Sequence, residues 1–188
     1  LMEGKMGLGR KVLAVASLII FISFSFFVNR EVDRRVEISN DAKSFSYMHN
    51  AAFIDDYFEL LPWMNDDREY LFNFGKVLRE AGRYNDSNAI LRMETKLDTD
   101  PMAYVLMGRN YEDLNLYDEA DSLYRMAFLL QPNRIYPLYR QLKLYEKMGS
   151  ETRIMQKAHE MASFNPKIMS PAVDEMKGEA LKFLNPNN

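Results

Sequence analysis

Between Val12 and Val28 the chain reads VLAVASLIIFISFSFFV, seventeen residues without a charge. At ~1.5 Å per residue a helix of that length covers about 25 Å, slightly less than the ~30 Å hydrocarbon core of a bilayer. Arg10 and Lys11 before the run and Arg30 after it are long enough to reach the two interfaces. The pattern predicts a membrane-spanning helix over 12–28, inside an N-terminal segment 1–29. A cleaved signal peptide shares the charged start and the apolar middle, but VNREVDRRVEISND behind the run offers no small-x-small cleavage site. A helix buried in a soluble core is the third way to read it. Orientation stays open, because Lys5, Arg10 and Lys11 in front balance Arg30, Arg34 and Arg35 behind. Residues 30–44 are polar and charged and read as a juxtamembrane linker to a helical domain over 45–184.

The rhythm of apolar positions then changes. Tyr47, Ala51, Ile54, Phe58 and Leu61 step by four and three, a helical stripe that ends at Pro62. After it the same pattern occurs three times, as EYLFNFGKVLREAGRYNDSNAILRME (Glu69–Glu94), MAYVLMGRNYEDLNLYDEADSLYRMAFLLQP (Met102–Pro132) and YPLYRQLKLYEKMGSETRIMQKAHEMASFNP (Tyr136–Pro166). Gly75, Gly108 and Leu142 are equivalent, 33 and then 34 residues apart, as are Gly82, Asn115 and Gly149. Each unit reads as two antiparallel helices. Small residues at 75 and 108 let the two helices approach, and Gly82, Asn115 and Gly149 suit the left-handed residue that ends the first helix. Ala120, Tyr124 and Ala127 recur at helical spacing on the second helix and face the first. Asp100–Pro101 reads as the N-cap and first residue of a helix.

A period of 33–34 residues with Gly108, Tyr111, Leu114, Tyr117, Ala120, Tyr124, Ala127 and Pro132 in place resembles the tetratricopeptide (TPR) repeat. The first unit departs from it at Ser87 and Glu94, and the third at Leu142. Ser170–Pro171 starts a last helix with Val173, Met176, Ala180 and Leu184 on one face and Asp174, Lys177 and Lys182 on the other, which suits a terminal cap. The expected fold is all-α: one transmembrane helix, then an α-solenoid of about three TPR helix pairs with flanking helices. Trp63 is expected to pack at the junction that follows Pro62.

Composition narrows the chemistry. The chain of 188 residues is 47% hydrophobic and 27% charged, with net charge −3, which gives no reason to expect nucleic acid. It has no cysteine, which excludes disulfides, thiolate nucleophiles and zinc–thiolate sites, and only two histidines, His49 and His159. No phosphate loop, dinucleotide fingerprint or G-x-S-x-G context is present. No cofactor, metal site or catalytic constellation is expected, and the chain reads as a non-enzyme. Glu94, Asp98 and Asp100 form an acidic cluster that reads as a helix-start feature. The chain begins at Leu1 and reads as a piece of a longer frame, with Met2 as the alternative start.

A more specific resemblance covers Tyr70–Leu184, about three-fifths of the chain. YLFNFGKVLREAGRYNDSN (Tyr70–Asn88), DPMAYVLMGRNY (Asp100–Tyr111), PNRIYPLYRQLKLY (Pro132–Tyr145) and PKIMSPAVDEMKGEAL (Pro166–Leu181) resemble the TPR tail of bacterial O-antigen ligase or polymerase-like membrane proteins. That resemblance implies a tail on the periplasmic side of the inner membrane, accessory to cell-surface polysaccharide assembly. The transfer chemistry of such proteins belongs to a multi-span portion that this sequence does not contain, so no catalytic residue carries over. The alternatives are a stand-alone membrane-tethered adaptor that binds peptide segments of other proteins, and a piece of an enzyme without its active part.

Stacked helix pairs present their first helices along one inner face. In this register that face includes Phe72, Lys76 and Arg79; Val105, Arg109 and Glu112; and Tyr139, Lys143 and Glu146. One position is basic in every unit: Lys76, Arg109 and Lys143. With Arg140 and Tyr139 alongside, it makes a short cationic strip suited to an acidic peptide or protein partner, or to an anionic glycan. The plainer reading is a solvated row of charges.

Overall fold

The computed structural model describes residues 8–48 and 51–185. Leu1, Met2, Lys5 and His49, and the side chain of Tyr47, lie outside the described set. The chain divides into two units, Leu1–Ser44 and Phe45–Asn188.

The first unit holds most of the long helix α1, Leu8–Met48. Its stretch Gly9–Arg34, 26 residues, holds an 18-residue window of mean hydropathy 2.4 with nothing buried, and is long and apolar enough to cross a membrane. Ser17 donates its hydroxyl to the Ala14 carbonyl at 2.9 Å, so this polar group is satisfied within the helix and needs no water. The polar residues 30–44, a linker by composition, continue the same helix.

The second unit is all-helical among the described residues. A short 3₁₀ turn (Ala51–Phe53) leads into α2 (Ile54–Met64), followed by α3 (Arg68–Glu80), α4 (Tyr84–Leu97), α5 (Pro101–Asp113), α6 (Tyr117–Leu130), α7 (Tyr136–Lys147), α8 (Glu151–Ser163) and α9 (Pro171–Leu184). The pairs α3–α4, α5–α6 and α7–α8 are the three units read from the sequence. The starts of α3, α5 and α9 carry side-chain caps. Asp67 accepts from the Tyr70 N–H at 2.9 Å, Asp100 from Met102 N–H at 2.8 Å, and Ser170 from Val173 N–H at 3.3 Å. The turns inside the pairs are three copies of one device. Gly82, Asn115 and Gly149 have φ of 74°, 60° and 66°. The amide after each returns to the first helix: Arg83 to Leu78 O at 2.8 Å, Leu116 to Tyr111 O at 2.8 Å, Ser150 to Tyr145 O at 3.1 Å.

The packing inside each pair explains the glycines and the exception. A Cβ on Gly75 would lie 2.6 Å from Leu91, and one on Gly108 would lie 2.5 Å from the Tyr124 ring. Leu142 replaces glycine in the third unit, and at the position equivalent to Leu91 and Tyr124 that unit carries Ala158. Leu142 and Ala158 are both fully buried. The bulk has moved from the second helix to the first, which keeps the interior filled. In the first unit the buried Ser87 donates to the Gly75 carbonyl at 2.7 Å, so its hydroxyl is satisfied across the pair.

Two readings of the flanks are corrected. α2 does not end at Pro62 but runs to Met64, with the proline inside it. Pro62 gives up only the one hydrogen bond its missing N–H would make near the helix end. The face of α2 that packs is also shifted from the stripe. Ala51 is exposed, and Tyr57 is fully buried. The Tyr57 ring stacks on Phe74 at 4.8 Å, and Tyr70 donates its hydroxyl to the Tyr57 carbonyl. Trp63 is 40% exposed. At the other end α9 packs on α8 and α7 as α7 packs on α6 and α5. The cap therefore stands where the first helix of a further unit would stand. Ala180 is buried, and Val173, Met176 and Leu184 lie against the core.

Candidate functional site

Successive first helices touch: α3 meets α5, α5 meets α7 and α7 meets α9, while α4, α6 and α8 show no contact of similar extent. The first helices therefore form one continuous face, and the site is built from what that face presents.

Most of its charge is paired across neighbouring helices. Arg79 of α3 reaches α5, at 2.6 Å to Asp113 and 2.9 Å to the Asn110 side-chain oxygen. Arg140 of α7 reaches back to α5, at 2.8 Å to Glu112, and lies over the Tyr124 ring. Tyr124 also donates to Glu112 at 2.7 Å. Lys143 of α7 is held by Glu146 on its own helix at 2.9 Å and by Glu179 of α9 at 3.0 Å. Tyr139 donates to the other Glu179 oxygen at 3.0 Å. The Glu146 and Glu179 contacts raise the Lys143 pKa, and the Lys143 hydrogen bond lowers that of Glu179. This stretch is a ladder of carboxylate–cation contacts.

Of the residues in the predicted strip, Arg140, Lys143 and Tyr139 thus stand together at the α7–α9 end with their charges balanced. Lys76 stands at the α3 end, partly buried. Arg109 stands between, on α5, partly buried. Its Nε is enclosed without a hydrogen-bond partner, and among the described residues its guanidinium has no ion pair. Val105 and Glu112, placed on this face by the register, are buried between helices.

The acidic cluster resolves into structural roles. Asp100 caps α5, and Arg68 bonds Asp98. Glu94 is fully buried on α4, and neither of its oxygens accepts a hydrogen bond. Its nearest cation is Arg68 Nε at 3.9 Å. Among the described residues no group of three metal-ligating side chains is assembled. His159 is exposed on α8.

No family model matches the chain, and none of the curated proteins does. Solved structures do share the fold. A crystal structure of MamA protein superposes with a TM-score of 0.59 at 18% identity, covering 80% of this chain and 88% of that one. PcrH from Pseudomonas aeruginosa gives 0.55 at 20% identity, covering 64% and 91%. PcrH in complex with the chaperone binding region of PopB gives 0.53 at 20%, covering 63% and 94%. With the helix pairs, turns and glycine contacts described above, this establishes a TPR-like α-solenoid.

Proposed function

We propose that this chain is a membrane-anchored interaction module whose first-helix face holds an anionic segment of a partner protein or peptide, and that catalysis belongs to something else. The observation that carries the reading is Arg109. A guanidinium half enclosed at the middle of a face whose other charges are largely paired is a built place for a carboxylate, and a charge-assisted pair there contributes about 1.5–3 kcal/mol. A complex of the fold-neighbour PcrH with a binding region of another protein supports a peptide as the occupant. The apolar stretch Gly9–Arg34 supports anchoring in a membrane. The resemblance to ligase-like tails supports a periplasmic repeat domain accessory to cell-surface polysaccharide assembly.

Replacing Lys76, Arg109 and Lys143 together by Glu is expected to abolish capture of an anionic partner by the full chain in detergent micelles. Arg109→Lys, which keeps the charge and loses the fork, is expected to weaken capture about tenfold, or ~1.4 kcal/mol. Undiminished capture by the triple variant overturns the reading. Sidedness has its own test. Protease added to spheroplasts is expected to remove the repeats, and protection until lysis would place them in the cytoplasm.

A further inference from the structure

The opposite side of the array, where the second helices lie, carries two grooves that are repeats of one another. One, of about 440 Å³, is lined by Asp121, Arg125, Leu138, Tyr145, Arg153 and Lys157, among others, from α6, α7 and α8. The other, of about 580 Å³, lies one unit earlier between α4, α5 and α6. Their linings correspond residue by residue: Arg92 to Arg125, Tyr104 to Leu138 and Tyr111 to Tyr145. The groove itself is therefore a product of the repeat, and what differs between the copies was placed by the sequence.

The difference is charge. Where the earlier groove has Glu119, Ser122 and Leu123, the later one has Arg153, Gln156 and Lys157. Its floor is already satisfied. Asp121 accepts from Gln141 and from the Tyr145 hydroxyl on one oxygen, both at 2.6 Å, and from Arg125 on the other at 3.4 Å. Lys157 pairs with Glu160 at 2.6 Å. Arg153 lies over the Tyr145 ring, 5.6 Å from its centre, and has no hydrogen-bond or ion-pair partner among the described residues. Three cations thus face two carboxylates, and the cation left over sits one helical turn from Lys157 on the same face of α8. Phe128, Leu138 and Tyr145 supply the apolar part of the wall.

We infer that the groove between α6, α7 and α8 is a second binding site, independent of the first-helix face, for an organic carboxylate with an apolar body. The carboxylate meets Arg153 and Lys157, and the apolar body lies against Phe128 and Leu138. The shared chemistry fits either a free carboxylic acid or the C-terminus of a peptide that ends in an apolar residue.

Both sources are tested on the full chain in non-ionic micelles by calorimetric titration with 3-phenylpropanoate, with a tetrapeptide ending in Phe, and with that peptide's C-terminal amide. The two carboxylates are expected to bind and the amide to bind at least tenfold more weakly. The tighter of the two carboxylates identifies the source. Arg153→Gln with Lys157→Gln is expected to lower carboxylate affinity at least tenfold. Glu119→Gln in the equivalent groove is expected to leave it unchanged. Absence of binding by both carboxylates, or affinity indifferent to the Arg153 and Lys157 changes, overturns the proposal. Arg153→Gln alone alters an exposed side chain, so a folded variant is available in any case.

Discussion

Gly108→Leu is expected to destabilise the repeat array by about 3 kcal/mol, and adding Tyr124→Ala to the same chain is expected to return about 2 kcal/mol of that. Even a single added Cβ would stand 2.5 Å from the Tyr124 ring. That ring is fully buried and its hydroxyl is tied to Glu112, so it has nowhere to turn. Tyr124→Ala alone leaves a cavity opposite the glycine and costs about 3–5 kcal/mol, as removal of a large buried ring does. The double variant recreates in the middle unit the arrangement of the third, where Leu142 and Ala158 hold the equivalent buried positions. Arg140 meets Glu112 at 2.8 Å independently of the Tyr124 hydroxyl, so the carboxylate is expected to keep a partner in that variant. Denaturant unfolding of the four chains gives the coupling. Additive costs for the two substitutions would mean that the positions do not share one volume.

The same pair of positions marks what was legible beforehand. The three left-handed turn residues could be read because each depends on one residue and its own backbone, and the period and the glycines at 75 and 108 because they recur at a fixed spacing. Leu142 reads as a departure when taken alone, because its compensation, Ala158, lies sixteen residues on, at the position held by Leu91 and Tyr124 in the other units. The extent of α2 past Pro62 was misread because a proline near a helix end costs only one hydrogen bond. The cationic strip was legible as a row of residue types, with Glu112 and Glu146 on the same face, but not the pairing of those two with it, nor the part played by Asp113 and Glu179. Those partners have a signal of their own. Neighbouring first helices are one repeat apart, so pairs between them fall near that spacing: 34 for Arg79–Asp113, 28 for Arg140–Glu112 and 36 for Lys143–Glu179. A search at one period, give or take two turns, reaches all three. The two grooves were not legible for a different reason: each is lined by residues of three helices, which no local pattern brings together.

Glu94→Met is expected to stabilise the chain by about 2–3 kcal/mol more at pH 8 than at pH 5. Glu94 is fully buried, and its carboxylate oxygens accept no hydrogen bond. The positions equivalent to it in the next two units are Ala127 and Met161, both buried and apolar. Burial, reinforced by Asp100 and opposed by Arg68, raises the Glu94 pKa from 4.5 to about 7. Below pH 4.5 the group is protonated in the folded and the unfolded chain and contributes nothing to the pH dependence. As pH rises from 4.5 to 7 the unfolded chain releases this proton first, so the folded state loses ground. Above 7 both states are ionised and the loss is complete, on the order of 3 kcal/mol for a shift of that size. Methionine has a similar length and no charge to bury, so the variant's stability should lack this fall. Arg68 keeps its bond to Asp98 after the change, which limits the cost of losing the weaker contact. Urea unfolding of both chains at pH 5 and pH 8 makes the comparison. An equal pH dependence in the two would show that Glu94 keeps an ordinary pKa and reaches solvent through the α4–α5 junction.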